Sequence, residues 1–341
     1  MRETSLNQMD LLLGTSVEGA QAAVKSFYER TSRPDAFRWE QEVRQRLTDP
    51  ATGRIREDFL ESKSCEICSS SESVFLFEKD GFPHYRCRLC EAIYVNPALR
   101  QEVALELFYS EGPDPWLTVL QSEEQKNFDR VKFRNGLRLI EQRRRPPGKL
   151  LDVGCSFGLF LEIARDAGWQ VTGIEPHRQA RDLAQAAGFP VLSQPLARST
   201  FQEASFEVVT LWELLDHVAH PRDLLSAAAR ILEPGGVLLV AVRNSNSLAA
   251  RLLRERCVVF LGRAHYTLFS VQGLRAFLEE FGLNVYFYET YIAELGVIRN
   301  YLQYENPYGA DNPPVLLDVL TPEYILRNDL GYKILMAAQK A

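Results

Sequence analysis

An α/β fold with a smaller metal-binding segment ahead of it is what the sequence predicts, on three observations. From Lys149 onward, short apolar runs of strand length alternate with apolar residues at helical spacing, the pattern of parallel strands joined by helices. The first run opens into a glycine-flanked turn and the second ends in an acid, the layout of a nucleoside-binding βαβ unit. Upstream, four cysteines stand as two C-x-x-C pairs. At 341 residues the chain exceeds one typical domain, so a main domain with appendages is expected.

Residues 1–60 read as a polar helical extension. Residues 17–30 and 37–47 carry apolar residues at helical spacing on either side of a break at Thr31-Ser32-Arg33-Pro34, and no chemical signature. Such a segment packs on the body of the protein or on a sister subunit, which leaves a homodimer open.

Residues 61–98 hold the most specific local signal. Cys65, Cys68, Cys87 and Cys90 follow C-x₂-C-x₁₈-C-x₂-C, the spacing of a four-thiolate zinc site. Between the pairs, residues 74–77 read as a strand, Lys79-Asp80-Gly81 as a turn and residues 83–86 as the returning strand. Each pair then sits on a knuckle at the end of a hairpin, which is a zinc ribbon. Disulfides compete poorly in a reducing cytosol, and a redox pair lacks its thioredoxin-like context. Four thiolates fill a tetrahedron, so the zinc expected here is structural, with Cys155 and Cys257 uninvolved.

Residues 99–147 read as a helical linker. A charged helix over 117–148 runs into Arg143-Arg144-Arg145, which complement a solvated helix C-terminus. Pro146-Pro147-Gly148 then marks the start of the main domain, 148–341.

That domain opens with the apolar strand Leu150-Leu151-Asp152-Val153. Gly154 and Gly158 bracket a turn, where a missing Cβ lets backbone approach a ligand. Leu159, Phe160, Ile163, Ala164 and Ala167 follow at helical spacing as far as the C-capping Gly168, and the strand 169–174 delivers Glu175. A dinucleotide site would need G-x-G-x-x-G; here that frame reads Gly154, Ser156, Leu159, which argues against an NAD-type oxidoreductase.

The run D-V-G-C-S-F-G, with an acid ending the next strand, resembles motif I of class I S-adenosylmethionine (SAM) methyltransferases. The resemblance implies that Asp152, Gly154, Cys155, Ser156 and Gly158 cradle the methionine part of SAM. It implies too that Glu175, with Pro176 beside it, holds the ribose hydroxyls, a task suited to a carboxylate that accepts two hydrogen bonds from a diol. Adenine contacts are implied just past a third strand at 189–192, where Gln194 and the amide of Leu196 stand without the family's acid. Trp212, after a fourth strand at 206–211, falls on the side of the pocket toward the acceptor. His217 and Pro221 keep the family's histidine and proline, while Asp216 replaces a glutamate. Leu232-Glu233-Pro234-Gly235-Gly236 matches the lead-in to the fifth strand, 237–242. With 283–288 and 332–338 as an antiparallel closing pair, the fold class expected is a Rossmann-like seven-stranded sheet whose last strand is antiparallel.

The cysteine segment extends the resemblance. C-R-L-C-E-A-I-Y-V-N-P, a helix, then Phe108-Tyr109-Ser110 resembles the leader of a subgroup that includes sugar C-methyltransferases and enzymes of natural-product and cell-surface biosynthesis. The subgroup implies that the segment 99–147 closes over the cofactor and that Tyr109 or Trp116 meets the methionine end of SAM; helix-core packing is the alternative. Its histidine motif before a helix is partly kept in Ala264-His265-Tyr266-Thr267-Leu268-Phe269-Ser270, with Leu268 where a second histidine is common. Ser270 reads as an N-cap. His265, over the mouth of the cleft and with an unperturbed pKa near ~6.5, is the first candidate general base, His217 the second, and Tyr266 a positioning residue. Packing histidines are the alternative. An insertion at about 291–330, with Tyr301, Tyr304, Tyr308 and Asn312-Pro313-Pro314, would wall a substrate pocket or form a dimer surface.

A net charge of −6 argues against nucleic acid or anionic membrane as a partner. No apolar run approaches the ~20 residues of a membrane span, and the N-terminal Leu11-Leu12-Leu13 is too short for a signal sequence, so a cytoplasmic location is expected. The expected function is in-line transfer of a methyl group from SAM to a small-molecule biosynthetic metabolite. The sulfonium is already activated, so positioning and exclusion of water supply most of the catalysis. The rival is a non-catalytic SAM-fold and zinc-ribbon interaction protein, motivated by the departures at Gln194 and Leu268.

Overall fold

The computed structural model describes residues 31–108, 114–197, 200–295, 297–298 and 320–341. The readings at residues 17–30, at Tyr109 and at 301–314 lie outside them.

The first described helix, α1 (Arg33–Leu47), begins at Arg33 and takes Pro34 into its first turn, where a missing N–H costs nothing. It packs on the body: Val43 and Leu47 share a buried cluster with Phe82, Val95, Leu99 and Tyr266. The short strand β1 (Leu60–Glu61) follows. The ribbon hairpin is β2 (Ser73–Lys79) and β3 (Phe82–Cys87), joined through Asp80 and Gly81, both at positive φ as a two-residue hairpin turn requires. β4 (Ile93–Val95) adds a third strand, and β5 (Ala98–Leu99) turns back to pair with β1.

Three helices lead into the main domain: α2 (Gln101–Phe108), α3 (Pro115–Gln121) and α4 (Glu123–Glu141). The single helix expected over 117–148 is thus two. Ser122 takes extended backbone, ends α3, and caps α4 by accepting the Gln125 N–H at 3.3 Å. The arginines beyond α4 are not merely solvated, since Arg144 donates to the carbonyls of Gly235 (2.8 Å) and Pro234 (2.7 Å) and pins that turn.

The main domain runs β6 (Lys149–Val153), α5 (Leu159–Asp166), β7 (Gln170–Ile174), α6 (Arg178–Ala186), β8 (Val191–Leu192), β9 (Phe206–Trp212), α7 (Pro221–Ile231), β10 (Leu232–Arg243), α8 (Leu248–Leu253), β11 (Thr267–Leu268), α9 (Val271–Glu280), β12 (Leu283–Tyr291), α10 (Pro322–Arg327) and β13 (Lys333–Lys340). Seven strands form one sheet in the order β12-β13-β10-β9-β6-β7-β8, with β13 antiparallel to both neighbours, as expected. Its central strands are covered on both faces, so Leu150, Leu151, Val208, Val209 and Leu238 are all fully buried.

The ribbon is fastened to this sheet. β11, from the far end of the chain, pairs with β4 and completes a four-stranded sheet in the order β11-β4-β3-β2. Ser270 donates its hydroxyl to the Cys90 carbonyl (2.8 Å) while accepting the Gly273 N–H (2.8 Å) at the start of α9. Cys65, Cys87 and Tyr94 share one buried cluster with Leu274 and Phe277. Among the described residues no helix is long and apolar enough to cross a membrane.

Candidate functional site

A cavity of about 1280 Å³ opens where β6, β7 and β9 end, on the side from which the glycine turn emerges. Gly154 (φ 77°) and Gly158 (φ 90°) are both left-handed, and a Cβ at Gly158 would stand 2.9 Å from the Phe189 ring. The N–H groups of Gly154 and Cys155 donate to the Ile174 carbonyl (2.8 and 3.0 Å), which clamps the turn to the end of β7. Glu175 leaves that strand and lines the cavity. Its Oε2 accepts the Ser156 N–H (2.9 Å) and its Oε1 the His177 N–H (2.8 Å). Each carboxylate oxygen keeps a second lone pair for a ligand. Burial raises the Glu175 pKa.

Asp152, also on the wall, accepts the Thr210 hydroxyl at 2.7 Å and so ties β6 to β9; burial lifts its pKa to about 7. The Cys155 thiol packs beneath the turn with Leu161, Ala184, Phe189 and Val191. Pro176 and Leu196 line the cavity, whereas Gly158 serves as the N-cap of α5 and Gln194 is exposed, both off the wall. Trp212 lines it between the rings of Phe133 (4.9 Å) and Phe160 (5.3 Å), pressed on Gly136, where a Cβ would come within 2.4 Å of the indole.

The far wall comes from the helical segments. Trp116 lines the cavity and donates its indole N–H to Glu40 of α1 at 2.6 Å, and Glu40 also pairs with the buried Arg263. Asp114 caps α3 by accepting the Trp116 N–H (2.8 Å) and stands 3.5 Å from His177. No sequence motif marked Glu40: one glutamate on a polar helix reads as a solvated face.

The two candidate histidines meet. His217 lies on the 3₁₀ turn after β9, and its ring stands 4.8 Å from that of His265, edge to face. His265 sits inside the wall, buried, rather than at the mouth. Its Nδ1 is 2.6 Å from the Val259 carbonyl, so Nδ1 carries the proton and Nε2 keeps its lone pair. The Arg243 guanidinium donates to His217 Nε2 at 3.0 Å. Burial, joined by Arg243, holds His217 down to about 4 despite Asp216, and holds His265 well below its ordinary value. The unperturbed pKa expected for His265 does not hold, because burial disfavours the charged ring and the nearby Arg243 opposes a further positive charge. Tyr266 also lines the cavity and is buried in the cluster of Phe82, Val95 and Leu99.

A buried charge network, which the sequence reading missed, forms the floor. Lys132 lies between Asp129 (2.7 Å) and Glu213 (2.8 Å), Lys333 pairs with the same Glu213, and Arg243 pairs with Asp216. Gln125 joins Asp129 (3.0 Å) to Arg33 of α1 (2.7 Å), which connects the network to the N-terminal helix. Each buried charge has an opposite partner, the condition under which such groups are tolerated.

The four cysteines are a separate centre, off the cavity wall. Their Sγ atoms all lie within 4.8 Å of one another, with Cys65–Cys90 at 3.5 Å and Cys68–Cys87 at 3.4 Å. A tetrahedral ion with Zn–S bonds of ~2.3 Å would space its sulfurs ~3.8 Å apart, so this donor set could hold zinc with no position left open. Ser69 (φ 60°) and Glu91 (φ 58°) turn the two knuckles.

Residues 124–286 match the family model described as a methyltransferase domain. That segment runs from α4 into β12, so it contains the glycine turn, Glu175, Trp212 and both histidines, and leaves Glu40 and the ribbon outside. The ubiquinone biosynthesis O-methyltransferase of Idiomarina loihiensis is 38% identical over 105 residues, 29% of this chain and 43% of that protein. Its counterpart from Actinobacillus pleuropneumoniae is 31% identical over 157 residues, 42% of this chain and 64% of that protein. The chain spans about half the length of the curated relatives it matches. Among solved structures, a SAM dependent methyltransferase from Archaeoglobus fulgidus is similar with a TM-score of 0.46 at 17% identity, covering 63% of this chain and 94% of that one. The seven-stranded domain has the Rossmann-like methyltransferase fold.

Proposed function

We propose that the chain is a SAM-dependent methyltransferase that moves a methyl group to a small-molecule biosynthetic metabolite held in the cavity. One observation carries the reading: Glu175 reaches the cavity wall from the end of β7 with both carboxylate oxygens fixed by backbone amides. That is a preorganised acceptor pair for a vicinal diol, and it stands across the glycine turn that brings backbone to the ligand. The match of residues 124–286 supports it, and the relatives' names favour a hydroxyl as the methylated group. At about 1280 Å³ the cavity exceeds the ~300–1,000 Å³ typical of a single-ligand pocket, which suits a nucleoside together with an acceptor.

SAM would supply an activated methyl on sulfur. The protein's part is to hold and shield. Glu175 would bind the ribose hydroxyls and the backbone of Gly154–Ser156 the amino-acid end, with Pro176 and Leu196 along the base. Trp212, Phe133 and Phe160 close one side with apolar surface that excludes water. Trp116, held by Glu40, closes another. His265, neutral and with its Nε2 lone pair available, would accept a hydrogen bond from the acceptor and orient it, while Arg243 fixes His217 beside it. Cys65, Cys68, Cys87 and Cys90 would hold one structural zinc, and the ribbon they build supports placement in the subgroup that the C-R-L-C segment resembles.

Calorimetric titration with SAM tests the reading. Saturable binding at one site per chain is expected, and no heat of binding for a folded, zinc-loaded sample would end it.

A further inference from the structure

Within the proposed methyl transfer, on which this inference rests, the geometry points to Glu294 as the group that takes the proton from the acceptor's hydroxyl. Glu294 lies three residues past β12 on the same cavity wall, and its Oε2 is buried with no hydrogen-bond partner among the described residues. The other buried carboxylates of that wall are engaged. Glu175 holds two amides, Glu213 two lysines, Glu40 a tryptophan and an arginine, Asp152 a threonine, and Asp129 a cation. Asp223 and Glu323, also on the wall, are exposed. The two histidines are kept neutral by burial and Arg243, which makes them poor proton acceptors.

The backbone supports the choice. Ile292 (φ 63°) and Glu294 (φ 52°) are both left-handed, a conformation rare for any residue with a side chain and rarer for a β-branched one. Such conformations gather where a side chain must be aimed. Among the described residues, two titratable groups act on the carboxylate: the Lys333 ammonium of β13, itself paired with Glu213, and the thiol of the buried Cys257, a residue whose backbone carbonyl accepts from Lys79 (2.7 Å). Burial lifts the Glu294 pKa to about 8, with Lys333 opposing. A base of that strength matches a hydroxyl of phenolic or enolic acidity, near ~10, better than an aliphatic alcohol. As the acceptor oxygen bonds to the methyl carbon, the carbon–sulfur electron pair stays on sulfur and the O–H proton passes to Glu294 Oε2, giving a neutral carboxyl.

The test uses catechol as the probe acceptor, methyl-labelled SAM, and Glu294→Gln. Wild type should methylate catechol with a rate that rises as pH passes through about 8, where Glu294 becomes ionised. Glu294→Gln should bind SAM as wild type does in calorimetry, transfer at least ~10²-fold more slowly, and lose that rise. Glu294→Asp should restore it, and His265→Ala, slowed by loss of the hydrogen bond that orients the acceptor, should still show the rise with pH. Independently of turnover, the infrared carbonyl intensity lost across the same pH range should be smaller by one carboxyl in Glu294→Gln than in wild type. Wild-type rate and inflection in Glu294→Gln, or no difference in the infrared titration, would overturn the assignment. SAM binding without catechol methylation would overturn the hydroxyl class. A wild type that fails to bind SAM would instead bring down the reading of the whole site.

Discussion

Glu175→Ala separates ligand binding from turn architecture, because the carboxylate serves both. It accepts the N–H groups of Ser156 (2.9 Å) and His177 (2.8 Å) and would accept the ribose diol on its remaining lone pairs. Deleting it orphans two amide donors. A buried orphan costs ~1–3 kcal/mol, but these border a cavity that water can enter, so a total loss of stability on the order of 1–3 kcal/mol is expected. The ligand loses charge-assisted hydrogen bonds worth ~1.5–3 kcal/mol, so the SAM dissociation constant should rise by ~10-fold to ~10²-fold. Calorimetry on the variant gives the second figure and urea unfolding of the unliganded protein gives the first. Lowered stability with an unchanged dissociation constant would show that Glu175 braces the turn and does not hold the ligand.

Three further outcomes are expected. Elemental analysis of anaerobically purified protein should find one zinc per chain, and Cys87→Ser should lower the zinc content; absence of metal in the wild type would refute the ribbon's role. Gly273→Ala would place a Cβ 2.7 Å from the Cys90 carbonyl, so the knuckle must shift from α9, at ~1–3 kcal/mol of stability and with faster zinc loss to a chelator. Asp152 has its pKa lifted by burial from 3.8 to about 7, so between those values the folded state keeps a proton that the unfolded state has lost. Stability should therefore fall as pH rises from about 4 to about 7, by a few kcal/mol at most, and Asp152→Asn, which still accepts from Thr210, should flatten that fall in thermal unfolding.

The sheet and the glycine turn were legible because strands covered on both faces must be apolar throughout, and a turn this close to Phe189 must contain glycine at 158. The cysteine centre was legible because ligand spacing is local geometry. The division of the linker into α3 and α4 was missed: Ser122-Glu123-Glu124-Gln125 carries a capping signature, but the charged run around it read as one helix. Glu40, Lys132, Lys333 and Glu294 were not legible. Glu40 and Lys132 are single charges on polar helices, Glu294 and Lys333 single charges in apolar runs, and only the packing of α1, α4, β13 and the end of β12 around one cavity shows which of them finds a partner among the described residues. β11 is two residues long and owes its existence to β4, far away in the chain. The low pKa of His265 depends first on burial and then on Arg243, 22 positions earlier in sequence and on the end of β10.

The most direct test of the account is transfer itself. The protein would be incubated with SAM carrying a labelled methyl group and a small-molecule cell extract, and the products would be read by mass spectrometry. The account predicts label in a low-mass metabolite, S-adenosylhomocysteine in equal amount, and loss of both with Glu175→Ala at SAM concentrations near the wild-type dissociation constant. Firm SAM binding with neither product formed would contradict it and leave a SAM-binding protein that transfers nothing.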